Sequence, residues 1–317
     1  MEHVLVAGAS GVVGQAAVRR LAAAPDTRVT GISRRVPHDA GAARLMPLDL
    51  TDAAACDAAS AQPGDVTHLV YAALFEQPGL KAGWVDATQI ATNTAMLKNV
   101  LRSLSRTTTL RHVTLLQGAK AYGPHVRPIP ILAREDHDEW RDTPNFYWEQ
   151  ERLIREGAAR HGWNWTILRP QVIFGDAIGA AMNPIPALGA WAAVLKEQGL
   201  PLAYPGNPGS IGEATDADLL ASAIAWAGHT PGPFDEVFDI TNGDVFTWRD
   251  VWPVIAQALA MEVGPDTPCS LARTMAAHGE TWEGSASGTA SPHRHSTRSS
   301  ASRSITWTSC WVSAVPT

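Results

Sequence analysis

Two short segments near the middle of the chain hold the side chains best suited to chemistry. The first, at residues 117–124, is Gln-Gly-Ala-Lys-Ala-Tyr-Gly-Pro and contains Lys120; the second, at residues 145–151, is Asn-Phe-Tyr-Trp-Glu-Gln-Glu and contains Tyr147. A phenol can donate a hydrogen bond to an oxygen on which negative charge develops, and a nearby ammonium favours that charge. A fold that brings the two segments together would therefore give one site both a donor and a cation.

A glycine-rich turn at the start of the chain predicts the element that organises the site. A short apolar strand (4–7) is followed by Gly8, Gly11 and Gly14, and then by an Ala-, Leu- and Val-rich helix (15–24). Gly8 permits the turn, Gly11 lets the backbone approach a pyrophosphate, and Gly14 lets the helix lie close to the strand. The open N–H groups at the helix N-terminus favour an anion. We predict a dinucleotide site here; the alternative is a strand–helix turn without a ligand.

The end of the second predicted strand (28–35) indicates which dinucleotide is bound. In NAD-binding folds an acidic residue at this place binds the ribose 2′-hydroxyl. This chain has Ser33, Arg34 and Arg35 instead, and a guanidinium suits a 2′-phosphate. We therefore predict NADP(H), with two solvated surface arginines as the alternative.

Further cofactor contacts are expected from the loops that follow the later strands. Asp49, after the third predicted strand, is placed to accept from the adenine amino group, whereas Asp52 is interpreted as a cap of the next helix. The predicted cofactor-binding residues are Gly8, Ser10, Gly11, Val12, Val13, Gly14, Ser33, Arg34, Arg35, Asp49, Leu50, Ala72, Gln117 and Val172.

Strand patterns alternate with helical patterns over most of the chain, which predicts an α/β fold with a doubly wound parallel (Rossmann) sheet. The predicted strands are 4–7, 28–35, 45–48, 66–73, 113–116, 165–168 and 237–240. We expect residues 1–175 and about 234–242 to form the NADP-binding domain, and 176–233 and 243–282 to form a substrate-binding lid. Trp191, Trp248 and Trp252 are candidates to line the lid, with a place in the core as the alternative.

The two chemical segments depart from the pattern of ordinary short-chain dehydrogenases. Those enzymes have a Ser after the fifth strand and Tyr-x-x-x-Lys on the next helix, where the Lys lowers the pKa of the Tyr and holds the nicotinamide ribose. This chain has Gln117-Gly118 near the position of the Ser, and Glu151 stands where the Lys would be. A lysine appears instead just after the fifth strand, at Lys120.

The pairing of Gly-x-Lys-x-Tyr-x-Gly-Pro with Asn-Phe-Tyr-x-x-x-Glu resembles the progesterone 5β-reductase/iridoid synthase family. These proteins are atypical extended short-chain dehydrogenases that reduce activated enones with NADPH. The resemblance covers roughly residues 1–282 and implies that Lys120 and Tyr147 are the catalytic pair. The family usually has His and Tyr where this chain has Ala121 and Trp148, and the second change alters a wall of the expected pocket.

The chemistry implied by this resemblance is 1,4-reduction of an α,β-unsaturated carbonyl. Tyr147 would donate to the carbonyl oxygen, Lys120 would orient Tyr147 or the ribose, and solvent would protonate the carbon. An epimerase/dehydratase-like reaction or carbonyl reduction on the same fold is one alternative, against which the missing Tyr-x-x-x-Lys counts. A non-catalytic NADPH-binding sensor is the other.

Composition excludes several other classes of function. The 317 residues carry a net charge of −6, and there is no basic cluster with interleaved aromatics, so nucleic acid is not an expected partner. No apolar run approaches the roughly 20 residues of a membrane helix, and no basic-headed leader precedes the first strand. The three cysteines are scattered without metal-ligand spacing, so we expect no metal and a reducing cytoplasm. A small-molecule substrate and a homodimer are expected.

The C-terminal segment, 283–317, does not continue the α/β pattern. It is rich in Ser and Thr, and it lacks Leu, Asp and Lys. We interpret it as the product of a reading-frame shift and expect it to be disordered. A native Ser-rich tail is the alternative.

Overall fold

Parallel strands and helices alternate along the chain in the computed structural model, which describes residues 2–37, 40–59, 65–77, 83–105, 110–128, 132–137, 140–177, 179–180 and 182–277. The strands are β1 (Glu2–Ala7), β2 (Thr27–Ser33), β3 (Arg44–Pro47), β4 (His68–Tyr71), β5 (His112–Leu116), β6 (Asn164–Pro170), β7 (Val172–Phe174), β8 (Leu202–Tyr204), β9 (Ile211–Asp216), β10 (Glu236–Ile240), β11 (Val245–Thr247) and β12 (Val263–Asp266). The helices are α1 (Val12–Ala22), α2 (Ala53–Ala59), α3 (Ala87–Leu104), α4 (Phe146–His161), α5 (Pro184–Glu197), α6 (Ala217–His229), α7 (Trp248–Ala258) and α8 (Leu271–Ala277), with a 3-10 turn at Ala119–Tyr122.

Seven parallel strands form the main sheet, in the order β10-β6-β5-β4-β1-β2-β3. The predicted doubly wound parallel fold is therefore confirmed. The strand order reverses between β1 and β4, and in such sheets ligands bind at the carboxyl ends of the strands beside this reversal.

The register of the sheet brings the loops of the predicted site to one edge. Ala7 of β1 pairs with Tyr71 of β4, and Tyr71 pairs with Leu115 of β5. Because these strands are parallel and end together, the glycine turn, Ala72 and Gln117 leave the sheet side by side.

The core of this sheet follows from the apolar strands and from the helical spacing of α3. Leu97, Val100 and Leu104 face the sheet and are buried. Asn93, on the same helix, is also buried, and its amide bonds both backbone groups of Phe75 at 2.8–2.9 Å. Asn93 therefore has a structural role: it holds the loop after β4.

The chain divides into two compact units. One contains the described residues of 1–171, 175–177 and 215–241, and the other contains those of 172–174, 178–214 and 242–317. Segment 176–233 is expected to lie in the lid, but its last helix, α6, packs on α1 and belongs to the unit with the parallel sheet. The expected tail at 283–317 lies outside the described residues.

The second unit has its own aromatic core. Trp191, Trp248 and Trp252 are all buried in it. The indole N–H of Trp191 donates to the Ala203 carbonyl at 2.8 Å, and that of Trp252 donates to the Leu202 carbonyl at 2.9 Å. The core interpretation of these tryptophans therefore fits the structure.

Candidate active site

The glycine turn after β1 has the geometry that a dinucleotide-binding turn requires. Gly8 has φ 87°, and its N–H donates to the Ile32 carbonyl at 2.9 Å. The N–H of Gly11 then donates back to the Gly8 carbonyl at 2.9 Å and closes the turn. A Cβ built at Gly14 would lie 2.1 Å from the Gly8 carbonyl oxygen, so any side chain there would push helix α1 off the turn.

Helix α1 begins at Val12, three residues earlier than the sequence pattern predicted, so its first turn carries the predicted phosphate ligands. Gly11 is the N-cap, and no described side chain caps this end. The N–H groups of Val12, Val13 and Gly14 lack partners within the helix because they belong to its first turn. Ser10 and Gly11 are partly exposed beside them. A diphosphate therefore fits this end of the helix, as the glycine spacing predicts.

The predicted 2′-phosphate ligands lie at the exit of β2. Arg34 and Arg35 are exposed, and the Ser33 hydroxyl donates to the Arg35 carbonyl. Asp49 accepts from the N–H and the hydroxyl of Thr51 at 2.9 and 2.8 Å. These two bonds, with a smaller effect from Arg34, hold the pKa of the Asp49 carboxyl below its ordinary value. The carboxylate is thus an ionised acceptor that already stabilises a turn.

Four other predicted cofactor residues have different surroundings. The backbone of Ala72 lies so close to Gly8 that a Cβ on the glycine would be 2.7 Å from it. Leu50 is buried in the core, and its carbonyl accepts from the Asn99 amide at 2.9 Å. Gln117 is buried with both ends of its amide bonded to protein. Val172 begins β7 in the second unit.

Asp52, interpreted as a helix cap, accepts from the Ala55 N–H at 2.9 Å at the start of α2. The capping prediction is therefore in agreement with the structure.

The predicted catalytic tyrosine lies over the backbone that leaves β5. Tyr147 is in the first turn of α4 and is buried. Its hydroxyl would be 3.4 Å from a Cβ built at Gly118, and the Pro170 carbonyl oxygen would be 3.3 Å from the same point. The absence of a side chain at Gly118 thus lets the Tyr147 phenol lie close to the backbone. This places the hydroxyl at the carboxyl edge of the sheet, where a ligand is expected.

Trp84 connects the tyrosine with the predicted catalytic lysine. The Lys120 ammonium lies 4.3 Å from the centroid of the Trp84 ring, a cation–π contact. The Trp84 ring meets Tyr147 edge-on, with centroids 5.2 Å apart. The structure therefore brings Lys120 and Tyr147 to the same aromatic cluster, with the ammonium on the indole face.

Asn145 fixes the spacing between the lysine turn and the tyrosine helix. It is the N-cap of α4, and its side-chain oxygen, Oδ1, accepts from the Tyr147 N–H at 3.0 Å. Its amide donates to the Lys120 carbonyl at 3.2 Å. One buried side chain thus bonds the backbone of both predicted catalytic residues.

Two titratable groups at this site have pKa values above their ordinary range. Burial, and then the Glu76 carboxylate, raise the pKa of the Tyr147 phenol above 10, while Arg169 opposes the rise. Burial also raises the pKa of Glu76, and Lys120 and the Trp84 N–H oppose that change. Tyr147 is therefore a neutral hydrogen-bond donor at physiological pH.

Sequence analysis missed Glu76, Trp84 and the supporting role of Asn145. Glu76 and Trp84 lie outside any strand or helical period, and the 3.4 Å contact between their side chains depends on the folded loop after β4. Asn145 carried a usable signal, since Asn directly before a helix is a common N-cap.

Comparison with known proteins places the chain in a family. The family model described as "NAD dependent epimerase/dehydratase family" matches residues 4–229. An (S)-8-oxocitronellyl enol synthase of Camptotheca acuminata is 31% identical, covering 88% of this chain and 75% of that protein. One from Antirrhinum majus is 30% identical, covering 81% and 69%.

The chain belongs to the NAD dependent epimerase/dehydratase family. The resemblance to iridoid synthases is confirmed by its relatives, since (S)-8-oxocitronellyl enol synthases are iridoid synthases. As a member of this epimerase/dehydratase family the chain is an enzyme, an NAD(P)-dependent oxidoreductase of the extended short-chain type. The predicted cofactor, NADP(H), is confirmed as a nicotinamide dinucleotide of this family.

Solved structures of the epimerase/dehydratase family share the fold. UDP-glucose 4-epimerase of Thermus thermophilus in complex with NAD superposes with a TM-score of 0.62 at 20% identity, covering 87% of this chain and 93% of that one. At this identity the likeness shows the fold alone. Among the helices that the structure describes, none combines the length and the apolar composition that a membrane span requires.

Proposed function

We propose that this enzyme uses NADPH to reduce the C=C bond of an α,β-unsaturated carbonyl compound. The observation that carries the proposal is the Tyr147 hydroxyl beside Gly118, in one cluster with Lys120 at the carboxyl edge of the sheet. The names of the relatives support it, since those proteins are enol synthases.

The glycine turn, Arg34 and Arg35 would hold the dinucleotide: the turn through backbone N–H groups at the diphosphate, and the arginines at the 2′-phosphate. Asp49, Leu50, Ala72, Gln117 and Val172 stay predicted contacts. When bound, NADPH supplies a hydride for the β-carbon of the substrate.

The protein side chains stabilise the charge that then develops on the carbonyl oxygen. Tyr147 donates its O–H to this oxygen, and because its pKa is raised it stays protonated for this task. One such donor contributes about 3 to 4 kcal/mol to stabilising the transition state. The Lys120 ammonium, held on the Trp84 ring, adds positive charge to the same region. Solvent protonates the α-carbon, which completes saturation of the C=C bond.

The test is to incubate the purified enzyme with NADPH and 2-cyclohexenone, and to identify the product by NMR. The proposal expects cyclohexanone, with the carbonyl retained. Cyclohexanone alone should not be consumed. Formation of 2-cyclohexenol, or consumption of cyclohexanone, would favour carbonyl reduction, the rival reaction on this fold.

The assignment of the second unit to substrate binding, the homodimer and the cytoplasmic location stay predictions. Size-exclusion chromatography with light scattering measures the oligomeric state directly.

A further inference from the structure

A buried glutamate stands at the position where ordinary short-chain dehydrogenases have their catalytic lysine. Glu151 lies one helical turn after Tyr147 and is 1% exposed. It accepts from Arg141 at 2.8 Å and from Arg155 at 2.9 Å. The guanidinium of a third arginine, Arg169, lies 3.9 Å from its other oxygen. The carboxylate therefore points into a cluster of arginines.

Arg169 is itself buried, at 2% exposure, and spreads its donors over three acceptors. Nε donates to the Gln117 side-chain oxygen at 2.9 Å. Nη1 donates to the Tyr122 hydroxyl and to the Glu135 carbonyl, both at 3.3 Å. A buried charge persists only where it is paired and hydrogen-bonded, and Glu151 with these acceptors meets that requirement.

Two of the groups bonded to Arg169, Gln117 and Tyr122, belong to the segment that carries Lys120, and its ion-pair partner Glu151 belongs to the segment that carries Tyr147. The Gln117 amide donates onward to the Tyr147 carbonyl at 3.3 Å, in the first turn of α4. Tyr122 ends the 3-10 turn that contains Lys120, and its hydroxyl donates to Asp239 at 2.7 Å. One guanidinium therefore reaches both the lysine turn and the tyrosine helix.

We propose that Arg169 is a positioning residue that sets the Tyr147 hydroxyl against the Lys120 turn. Through its bonds to Gln117 and Tyr122, with Glu151 balancing its charge, it supplies the fixed geometry that Tyr-x-x-x-Lys enzymes obtain from their lysine. The inference rests on the proposed enone reduction. The inference goes beyond that proposed reaction because it names the residue, at the end of β6, that fixes the geometry of the site.

The planar fork of arginine is the feature that this arrangement needs. An ammonium in place of the guanidinium is a point charge on a flexible stem and lacks donors in a fixed plane. Lysine at position 169 would therefore keep the positive charge beside Glu151 while losing the simultaneous bonds to Gln117 and Tyr122. Substitution by lysine separates geometry from charge.

The experiment compares Arg169→Lys and Arg169→Met with Arg152→Gln as the matched control. Arg152 lies on the same helix as Glu151 and is exposed, and its ion pairs are with Glu149 and Glu156 rather than with Gln117 or Tyr122. Both Arg169 variants should lower kcat for 2-cyclohexenone by about 100-fold, the usual effect of a displacement of about 1 Å. The fall in kcat should exceed any rise in the dissociation constant of NADPH, to which the predicted contact of Gln117 contributes, and the control should behave as the wild type. Thermal melts identify any variant that does not fold.

A second measurement does not depend on enone turnover. The chain has four tyrosines, so labelling with ¹³C-tyrosine gives a small set of resonances in which Tyr147 is assigned by comparison with Tyr147→Phe. Arg169→Lys should shift the Tyr147 resonance, and Arg152→Gln should not.

Wild-type kcat in folded Arg169→Lys, or an unmoved Tyr147 resonance, would overturn the inference. If the wild-type protein reduces no enone, the proposed function fails, and the Tyr147 resonance alone then decides whether Arg169 positions the phenol.

Discussion

Replacing Gly14 by alanine tests whether the close approach of helix α1 to the glycine turn is needed for cofactor binding. The added Cβ would lie 2.1 Å from the Gly8 carbonyl oxygen, whereas ordinary van der Waals contact begins at 3.4 Å. The nearest atoms are backbone, so the helix has to move by roughly 1.3 Å rather than a side chain rotating away. Overpacking of this kind costs about 1 to 3 kcal/mol.

This strain falls on the bond network that orients the first-turn N–H groups toward the diphosphate. In the free variant a shift of α1 can relieve this strain. Binding of NADPH then requires the original position of α1, so the strain returns in the complex and weakens binding. The dissociation constant of NADPH should then rise roughly 5- to 150-fold, the equivalent of 1 to 3 kcal/mol. The assay is a titration of NADPH followed by its fluorescence, with circular dichroism to show that the variant is folded.

Gly189→Ala is the matched control. Gly189 lies inside α5, and a Cβ there meets nothing within 4 Å. Alanine should raise the free energy of unfolding by up to about 1 kcal/mol and leave NADPH affinity unchanged. A folded Gly14→Ala variant that binds NADPH as tightly as the wild type would refute the assignment of this turn to the diphosphate.

Two further predictions concern the tyrosine and its helix. Because burial and Glu76 raise the pKa of Tyr147 above its ordinary value of 10, the phenol stays protonated, and kcat should be constant from about pH 7 to about pH 9. A pH–rate profile that shows an alkaline loss of activity with an apparent pKa below about 9 would contradict this. Asn145→Ala should lower the free energy of unfolding by about 1 kcal/mol in urea and also lower kcat, since Asn145 bonds the backbone of both Lys120 and Tyr147. The control Asn183→Ala removes an equivalent N-cap from α5 and should lower the free energy of unfolding without changing kcat. Equal losses of kcat in the two variants would disprove the linking role of Asn145.

The local parts of the fold were predictable because their signals are local. The apolar run before Gly8, the glycine spacing and the alternation of strands with helices each depend on neighbouring residues, and the structure has the corresponding elements. The start of α1 was placed at residue 15 instead of Val12, since Gly14 is a poor helix former and obscures the first turn.

The supporting parts of the site were not predictable, because they depend on contacts between distant segments. Arg169 lies in β6, whereas its partner Gln117 directly follows β5, and the sequence pattern showed Arg169 only as the end of the sixth strand. Likewise, nothing near Trp84 shows that its ring will lie under Lys120. The sequence assigned all of 176–233 to the lid, whereas α6 belongs to the unit with the parallel sheet. Composition does not reveal this, because it carries no information on which helix α6 packs against.

The most direct test of the central claim is the rate of enone reduction by Tyr147→Phe. The substitution removes only the hydroxyl that lies beside Gly118 and leaves the ring against Trp84. The proposal predicts a fall in kcat for 2-cyclohexenone of about 100- to 1,000-fold, with an unchanged dissociation constant for NADPH. A variant that reduces the enone at the wild-type rate would show that the phenol of Tyr147 does not stabilise the developing charge.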